Sequence, residues 1–328
     1  MKNKYLLGIL FCLTAVLSWG GMFPVMGTAM KVVNPFIFTL IRYTSAAVLF
    51  LLLLYVKEGR KAFAFEGRSL QIWLLGSSGF AGFGFLVFLG QKLSGPSGAL
   101  SASVMMALMP LLSVVVNWLF RGIKPLKYSL AFVLMSFFGV LTVVTKGDYA
   151  TLARLRSDVL ADGCILLGAL CWVVYTIGAA YFPKWSPVRY TALTTCLGVL
   201  TIWAVNLALW ISGYQRVPSL ADCQSILPQI LYMVLIAGFV GVLAWNAGNK
   251  ILTSLNGVLF MDVVPITTFA IAAFQGYLFN RAEMIGAGLT VSALIFNNIY
   301  QRVATQAAVV APEFRKQSFA LSPGAKNF

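Results

Sequence analysis

Ten stretches of the chain are long and apolar enough to cross a bilayer: 6–28, 36–56, 71–92, 98–120, 126–145, 159–181, 188–211, 227–249, 255–277 and 284–301. A hydrocarbon core of about 30 Å takes about 20 residues of helix. Unbroken apolar runs of that length predict helices, because the strands of a membrane barrel alternate over about ten residues. Composition agrees. The chain is 60% hydrophobic and 10% charged, with a mean hydropathy of +0.87, where a soluble domain is about 25% charged. The expected fold class is an all-α integral membrane protein of ten transmembrane helices. The run from Leu6 outlasts the apolar region of a signal peptide, so the first span is read as retained.

The net charge of +15 belongs to this topology rather than to nucleic-acid binding. With the N-terminus inside, sixteen of the 24 lysines and arginines fall in cytoplasmic segments and seven on the opposite side, while Arg42 lies within a span. That bias places both termini in the cytoplasm, and a bacterial inner membrane is the expected location. The loops 57–70, 146–158 and 212–226 are too short for a separate domain, and a flexible cytoplasmic tail is expected over 303–328.

Landmarks recur at a near-constant offset. Trp19 and Trp172 are 153 residues apart, Pro35 and Pro187 152, Lys92 and Lys250 158, Pro110 and Pro265 155. Five spans per half invert the second half, which predicts two inverted five-helix repeats, 1–147 and 148–302. This is a common construction of secondary transporters, with the site near the midplane between the halves.

The first span reads AVLSWGGMFPV and the second PFIFTLIRYTSAAVLFL. Each half then carries a small-residue helix leading into a proline, SGALSASVMMALMPLLSVV and LNGVLFMDVVPITTFAI, and the chain closes on FQGYLFNRAEMIGAGLTVSALIFNN. In these motifs and their order the chain resembles the ten-helix, EamA-like members of the drug/metabolite transporter superfamily over residues 6–300. The resemblance implies that the first four helices of each repeat surround a central cavity and the fifth lies at the periphery. It also implies movement of small organic solutes, often export of amino acids or related metabolites, by alternating access. One departure stands out: three residues before the second-half proline the family often has an apolar residue or an amide, and this chain has Asp262.

Several residues are candidates for a substrate pathway. A carboxylate within a span is costly unless it faces protein or water. Asp262 is therefore read as a substrate-ammonium partner or a proton-coupling acid, against the alternative of an acid hydrogen-bonded to a neighbouring helix. Its first-half counterpart is Ala107, so the fold does not require the charge. Pro110 and Pro265 bend their helices. Trp19, Trp172, Tyr175, Trp245, Asn246 and Asn249 combine aromatic walls with a few polar groups, as a small-molecule pocket does; helix packing is the competing reading. Arg42 is deep enough to need a partner, and Lys92 and Lys250 close the third spans as gates or as snorkelling helix ends. Trp73, Trp118, Trp185 and Trp210 suit the interfacial belt. Gly79 and Gly82 suit close helix contact.

Other classes fit poorly. GPSG at 95–98 is similar to the GxSG of intramembrane serine proteases, but the chain has no histidine to act as base. Only Asp262 lies deep in a span, so a facing pair of acids is missing. Five scattered cysteines without a CxxC indicate neither a zinc site nor a disulfide framework. No P-loop is present. The chain is expected to need no cofactor or metal, to bind a small molecule and lipid, to leave protons open as a coupling partner, and to act as a monomer or homodimer. A channel or membrane scaffold is the alternative.

Overall fold

The computed structural model describes residues 2–122, 128–148, 158–276, 278–293, 295–297, 299–300 and 303. They are helical throughout, with no strand among them. The tail expected from 303 lies outside the described residues apart from residue 303 itself. The spans are α1 (Asn3–Ala29), α2 (Pro35–Glu58), α3 (Ser69–Leu93), the broken helix α4 (Gly98–Met106 and Met109–Arg121), α5 (Leu130–Val143), α6 (Val159–Tyr181), α7 (Pro187–Ile211), α8 (Leu227–Leu252) and α9 (Leu259–Phe274). Residues 281–293 form a further helix. Six of these are long and apolar enough to cross a membrane, seven if the two parts of α4 count as one span; α5 and α9 are shorter.

Local chemistry sets the helix starts and breaks. The α2 start is capped by Asn34, whose Oδ1 accepts from the Ile37 N–H at 2.9 Å, with Pro35 next. The α7 start repeats this with Ser186, whose Oγ accepts from the Arg189 N–H at 2.9 Å, with Pro187 next. A capping oxygen and a proline in the first turn both suit a helix N-terminus. The two parts of α4 meet at 42°, with Pro110 in the first turn of the second part; a proline there lacks the N–H that would bond back across the break. In α9, Pro265 follows a 3₁₀ turn over Leu259–Asp262. Both α3 and α8 contain a π-helical stretch, Ser77–Gly82 and Tyr232–Val240.

The helices pack in antiparallel pairs. Along α1 and α8, Gly8 lies against Ile251, Gly248 against Cys12, and Thr28 Oγ1 accepts from Gln229 Nε2 at 3.4 Å. Along α3 and α6, Gly79 lies against Tyr175, Gly82 against Cys171 and Gly90 against Ile165; the two expected contact glycines are among them. The ends of α2 and α7 are tied by Asn206 Nδ2 donating to Phe36 O at 3.2 Å and by a hydrogen bond between Ser186 and Glu58. The helix 281–293 packs on α5 through reciprocal glycines. A Cβ on Gly286 would lie 2.6 Å from Gly139 O, and one on Gly139 2.7 Å from Gly286 O. Only glycine allows backbones this close. Between these pairs sits one continuous buried cluster, running from Ala15 and Val16 to Met261 and Val264.

Candidate functional site

The centre of the molecule is aromatic. Trp19 of α1 and Trp172 of α6 meet edge to face, ring centroids 5.2 Å apart. Trp245 packs on Trp19 at 5.2 Å, Phe83 on Trp172 at 5.2 Å, and Tyr175 on Trp172 at 5.1 Å. Trp172 and Tyr175 share a face because they are three residues apart on one helix. All four predicted aromatics are buried. Trp19 Nε1 donates to Ala237 O at 2.9 Å. In an α-helix that carbonyl would accept from the Gly241 N–H, which the π-helical stretch turns to Ile236 O instead. Trp172 Nε1 is buried with no hydrogen-bond partner.

Below the tryptophans is a cavity of about 10 Å³, close to the room one water needs. Trp19, Trp172, Tyr43 and Phe83 line it, with Met22, Met106, Met109 and Met261 and the guanidinium residue Arg42. Arg42 is 1% exposed. Its Nη1 reaches Met22 Sδ at 3.3 Å, its Nη2 reaches Ala237 O at 3.4 Å, and its guanidinium sits 4.7 Å from the Tyr43 ring centroid. Nε has no partner, and among the described residues no carboxylate lies within ion-pair distance. The partner that a charge at this depth demands is thus a ring, a thioether and one long carbonyl contact.

Two larger vestibules flank this centre. The first, about 520 Å³, is lined by Asn117 and Arg121 of α4, Ala180, Phe182, Trp185 and Tyr190, and Asn246, Asn249, Lys250, Thr253 and Ser254. The second, about 740 Å³, is lined by Pro24, Gly27, Thr28 and Lys31, Gln91, Lys92, Gly95 and Pro96, Ala99 and Leu100, and Thr268, Ala272, Gln275 and Gly276 of α9 and the turn after it. They open at opposite ends of α8: Lys250 marks its C-terminal end, and Thr28, in the second vestibule, meets Gln229 at its N-terminal end. Lys92 and Lys250 therefore stand in different vestibules. Lys250 Nζ donates to Pro183 O at 2.8 Å and to Trp185 O, tying down the end of α6. Beside each lysine is a buried amide whose oxygen has no partner, Gln91 Oε1 and Asn249 Oδ1.

The Asn246 amide joins α8 to α6 and α7. Its Nδ2 donates to Tyr175 Oη at 2.7 Å and Thr191 Oγ1 at 2.8 Å, leaving Oδ1 unpaired beside the first vestibule. Trp245 Nε1 donates to Thr176 Oγ1 at 3.0 Å. Asn249 Nδ2 only turns back to Trp245 O at 2.8 Å.

Asp262 does not join the rest. It is 6% exposed, its Oδ1 is buried without a hydrogen-bond partner, and it lines neither vestibule nor the central cavity, though its neighbours Met261 and Val264 line the latter. Neither the hydrogen bond to a neighbouring helix nor a pairing with Arg42 is present at Oδ1.

Trp185 departs from the interfacial belt that the sequence predicts for it: it is 3% exposed and lines the first vestibule. Its Nε1 donates to Glu66 Oε2 at 2.9 Å, and Glu66 also pairs with Arg189 at 2.7 Å. The Trp185 N–H and the Arg189 guanidinium hold the Glu66 carboxyl below the usual carboxylate range. Arg189 stacks over the Trp185 ring at 4.2 Å. A loop residue 119 positions away makes this contact, and no periodicity within α7 announces it. Trp73 and Trp118 do lie on the outer surface, 39% and 50% exposed. The cavity methionines and Tyr43 also escaped the sequence reading, because in an apolar span nothing separates a lining residue from a packing one.

The comparisons with known proteins follow the same outline. The model of the EamA-like transporter family matches residues 6–145 and 159–299. The chain is 40% identical over 301 residues to the uncharacterized transporter YrdR of Bacillus subtilis (strain 168), covering 92% of this chain and 94% of that one. It is 27% identical over 256 residues to the uncharacterized transporter YyaM of the same organism, covering 77% and 81%. A crystal structure at 19% identity superposes with a TM-score of 0.67 over 93% of this chain and 99% of its own, which shows a shared fold. Helices, matched segments and relatives agree, and the chain belongs to the EamA-like transporter family of the drug/metabolite transporter superfamily.

Proposed function

We propose that the protein is a secondary active transporter that moves small organic metabolites, amino acids or related compounds, by alternating access of one central site to its two vestibules. The observation that carries this reading is the pair of vestibules at opposite ends of α8, separated by a closed centre built from Trp19, Trp172 and Arg42. Substrate would pass from one vestibule to the other only when that centre opens to each in turn.

A two-fold relation between the halves supports the mechanism. Exchanging each helix of the first half for its counterpart five later turns the α1–α8 pair into α6–α3 and leaves α2–α7 unchanged. It also turns the α1–α9 contact into α6–α4. The π-helical stretches of α3 and α8, the prolines of α4 and α9, and the two family-model segments fall under the same exchange. So do the vestibules: Gln91, Lys92 and Gly95 of one answer to Asn249, Lys250 and Thr253 of the other. Inverted repeats of five helices and ten spans in all are the reading that accounts for these pairings. Their domain boundary lies near 147, and the basic-residue bias puts both termini and the Lys250 vestibule on the cytoplasmic side of the plasma membrane.

Export driven by proton exchange is the direction this reading favours, with Asp262 as the coupling acid. Asp262 is a buried carboxylate with an unpaired oxygen, next in sequence to a residue lining the central cavity. Asn246 and Asn249 offer unpaired oxygens to a substrate leaving the cytoplasm. The test is transport in everted membrane vesicles supplied with labelled metabolites, with and without a proton gradient. Accumulation that collapses with the gradient is expected. Equilibration unaffected by any gradient, at a rate that never saturates, would instead make the protein a channel.

A further inference from the structure

We infer that the central cavity binds the carboxylate of an apolar organic acid, with Arg42 as the anion partner. This rests on the transport reading and names the class of substrate that its central site takes.

The argument starts from the unpaired polar atoms around the cavity. Three of the residues that line it carry a buried polar group with no hydrogen-bond partner: Arg42 Nε, Trp172 Nε1 and Tyr43 Oη. Arg42 Nε and Trp172 Nε1 can only donate, and Tyr43 can donate its O–H. No carboxylate and no side-chain amide lines the cavity. Buried donors left without acceptors destabilise a fold, and a buried cation without a counter-ion does so more strongly. A ligand that supplies acceptors and one negative charge would satisfy all three groups. A carboxylate has two oxygens in the geometry of the guanidinium fork. An ammonium would leave Arg42 Nε and Trp172 Nε1 unpaired and would stand against the guanidinium charge.

The rest of the wall selects an apolar body. Trp19, Phe83 and four methionines offer aromatic faces and polarizable thioethers. Methionine side chains are unbranched and repack readily; on this inference the cavity, closed here to about 10 Å³, widens through their rotamers when the centre opens to a vestibule. The two vestibules bring an anion to this point past two basic residues each, Lys31 and Lys92 on one side and Arg121 and Lys250 on the other.

The test uses the full-length protein in detergent micelles and three probes of one shape and different charge: phenylacetate, 2-phenylethanol and phenethylamine. Ligand binding to the folded state raises the melting temperature by an amount that grows with the logarithm of ligand concentration over Kd. Phenylacetate is expected to stabilise the parent in a saturable way and the other two are not. Arg42→Lys keeps a cation but loses the fork, and is expected to weaken phenylacetate binding about tenfold or more. Trp172→Phe keeps an aromatic ring and should weaken it by a smaller factor. Equal stabilisation by the alcohol or the amine overturns the inference, as does no stabilisation by phenylacetate. An Arg42→Lys protein that folds and binds phenylacetate as the parent does overturns it too. The transport reading fails separately: proteoliposomes that bind phenylacetate but translocate no solute would contradict transport and leave the binding site standing. Translocation of amines that phenylacetate does not compete with would do the reverse.

Discussion

Trp19 and Trp172 stand 153 residues apart and meet with their ring planes at 88°, yet only one of the two indole N–H groups has an acceptor. Trp19 Nε1 takes the Ala237 carbonyl that the π-helical stretch of α8 turns toward it. The matching stretch of α3 turns the Phe83 N–H to Ser78 O in the same way, which leaves the Gly79 carbonyl as the counterpart acceptor. Trp172 makes no such bond. The two rings meet at the cavity that Arg42 also lines but are held unequally: Trp19 shares the Ala237 carbonyl with Arg42, and Trp172 has no acceptor.

This asymmetry gives a stability prediction. Trp→Ala at either site would open a large void at a cost of about 3–5 kcal/mol, which obscures function. Trp→Phe is the informative change. Both variants lose similar volume, but Trp19→Phe also loses a buried hydrogen bond worth about 1 kcal/mol. Trp19→Phe is expected to melt below Trp172→Phe by that margin, read by thermal unfolding in detergent. The reverse order would mean that Trp172 is the better-anchored ring.

Asp262→Asn keeps shape and removes titration. The variant is expected to express and fold as the parent does, because no ion pair is lost. It should abolish uphill transport driven by a pH gradient while substrate exchange persists. Accumulation equal to the parent's would remove Asp262 from the coupling step.

Thr253 lines the first vestibule at φ 73° and ψ 150°, and its counterpart Gly95 also has positive φ, 63°. That backbone region is nearly reserved for glycine and costs a β-branched residue about 1–3 kcal/mol. Thr253→Gly is expected to raise thermal stability by about 1 kcal/mol, after the entropy that glycine brings to the unfolded chain is subtracted. A lower melting temperature would show that the threonine side chain contributes more than its backbone strain costs.

The latch that Glu66 forms with Trp185 and Arg189 should respond to acid. Glu66 titrates below its ordinary range because Trp185 and Arg189 hold the charged form. A carboxylate depressed on folding contributes stability above its unfolded pKa and loses it as pH falls through the folded one. Stability or docking of the 59–68 loop, followed by fluorescence of Trp185, should therefore weaken as pH drops below the usual carboxylate range. Glu66→Gln should lack that transition. A parent and variant with identical acid profiles would remove Glu66 from the latch.

Much of the architecture was legible because apolar length and repeat offset are properties of the chain itself. The offsets of Trp19 with Trp172 and Lys92 with Lys250 anticipated a central contact and two opposed charges. The break in α4 followed from Pro110. The methionine wall, the Trp185–Glu66 contact and the position of Asp262 were not legible. Each depends on which neighbour a helix face meets, and within a hydrophobic span every face looks alike. The depth of Arg42 in its span calls for a partner, but a sequence cannot say that this partner is a ring and a thioether.

Alternating access itself is tested most directly by cysteine accessibility in membranes of known orientation, with the five natural cysteines replaced. Single cysteines at Ala99 and Ala180 place one probe in each vestibule. An impermeant maleimide should label Ala180→Cys only from the cytoplasmic face and Ala99→Cys only from the other. A transported substrate, or a reversed gradient, should raise labelling at one position while lowering it at the other. Labelling of both from one face, or substrate-induced changes in the same direction at both, would contradict the account.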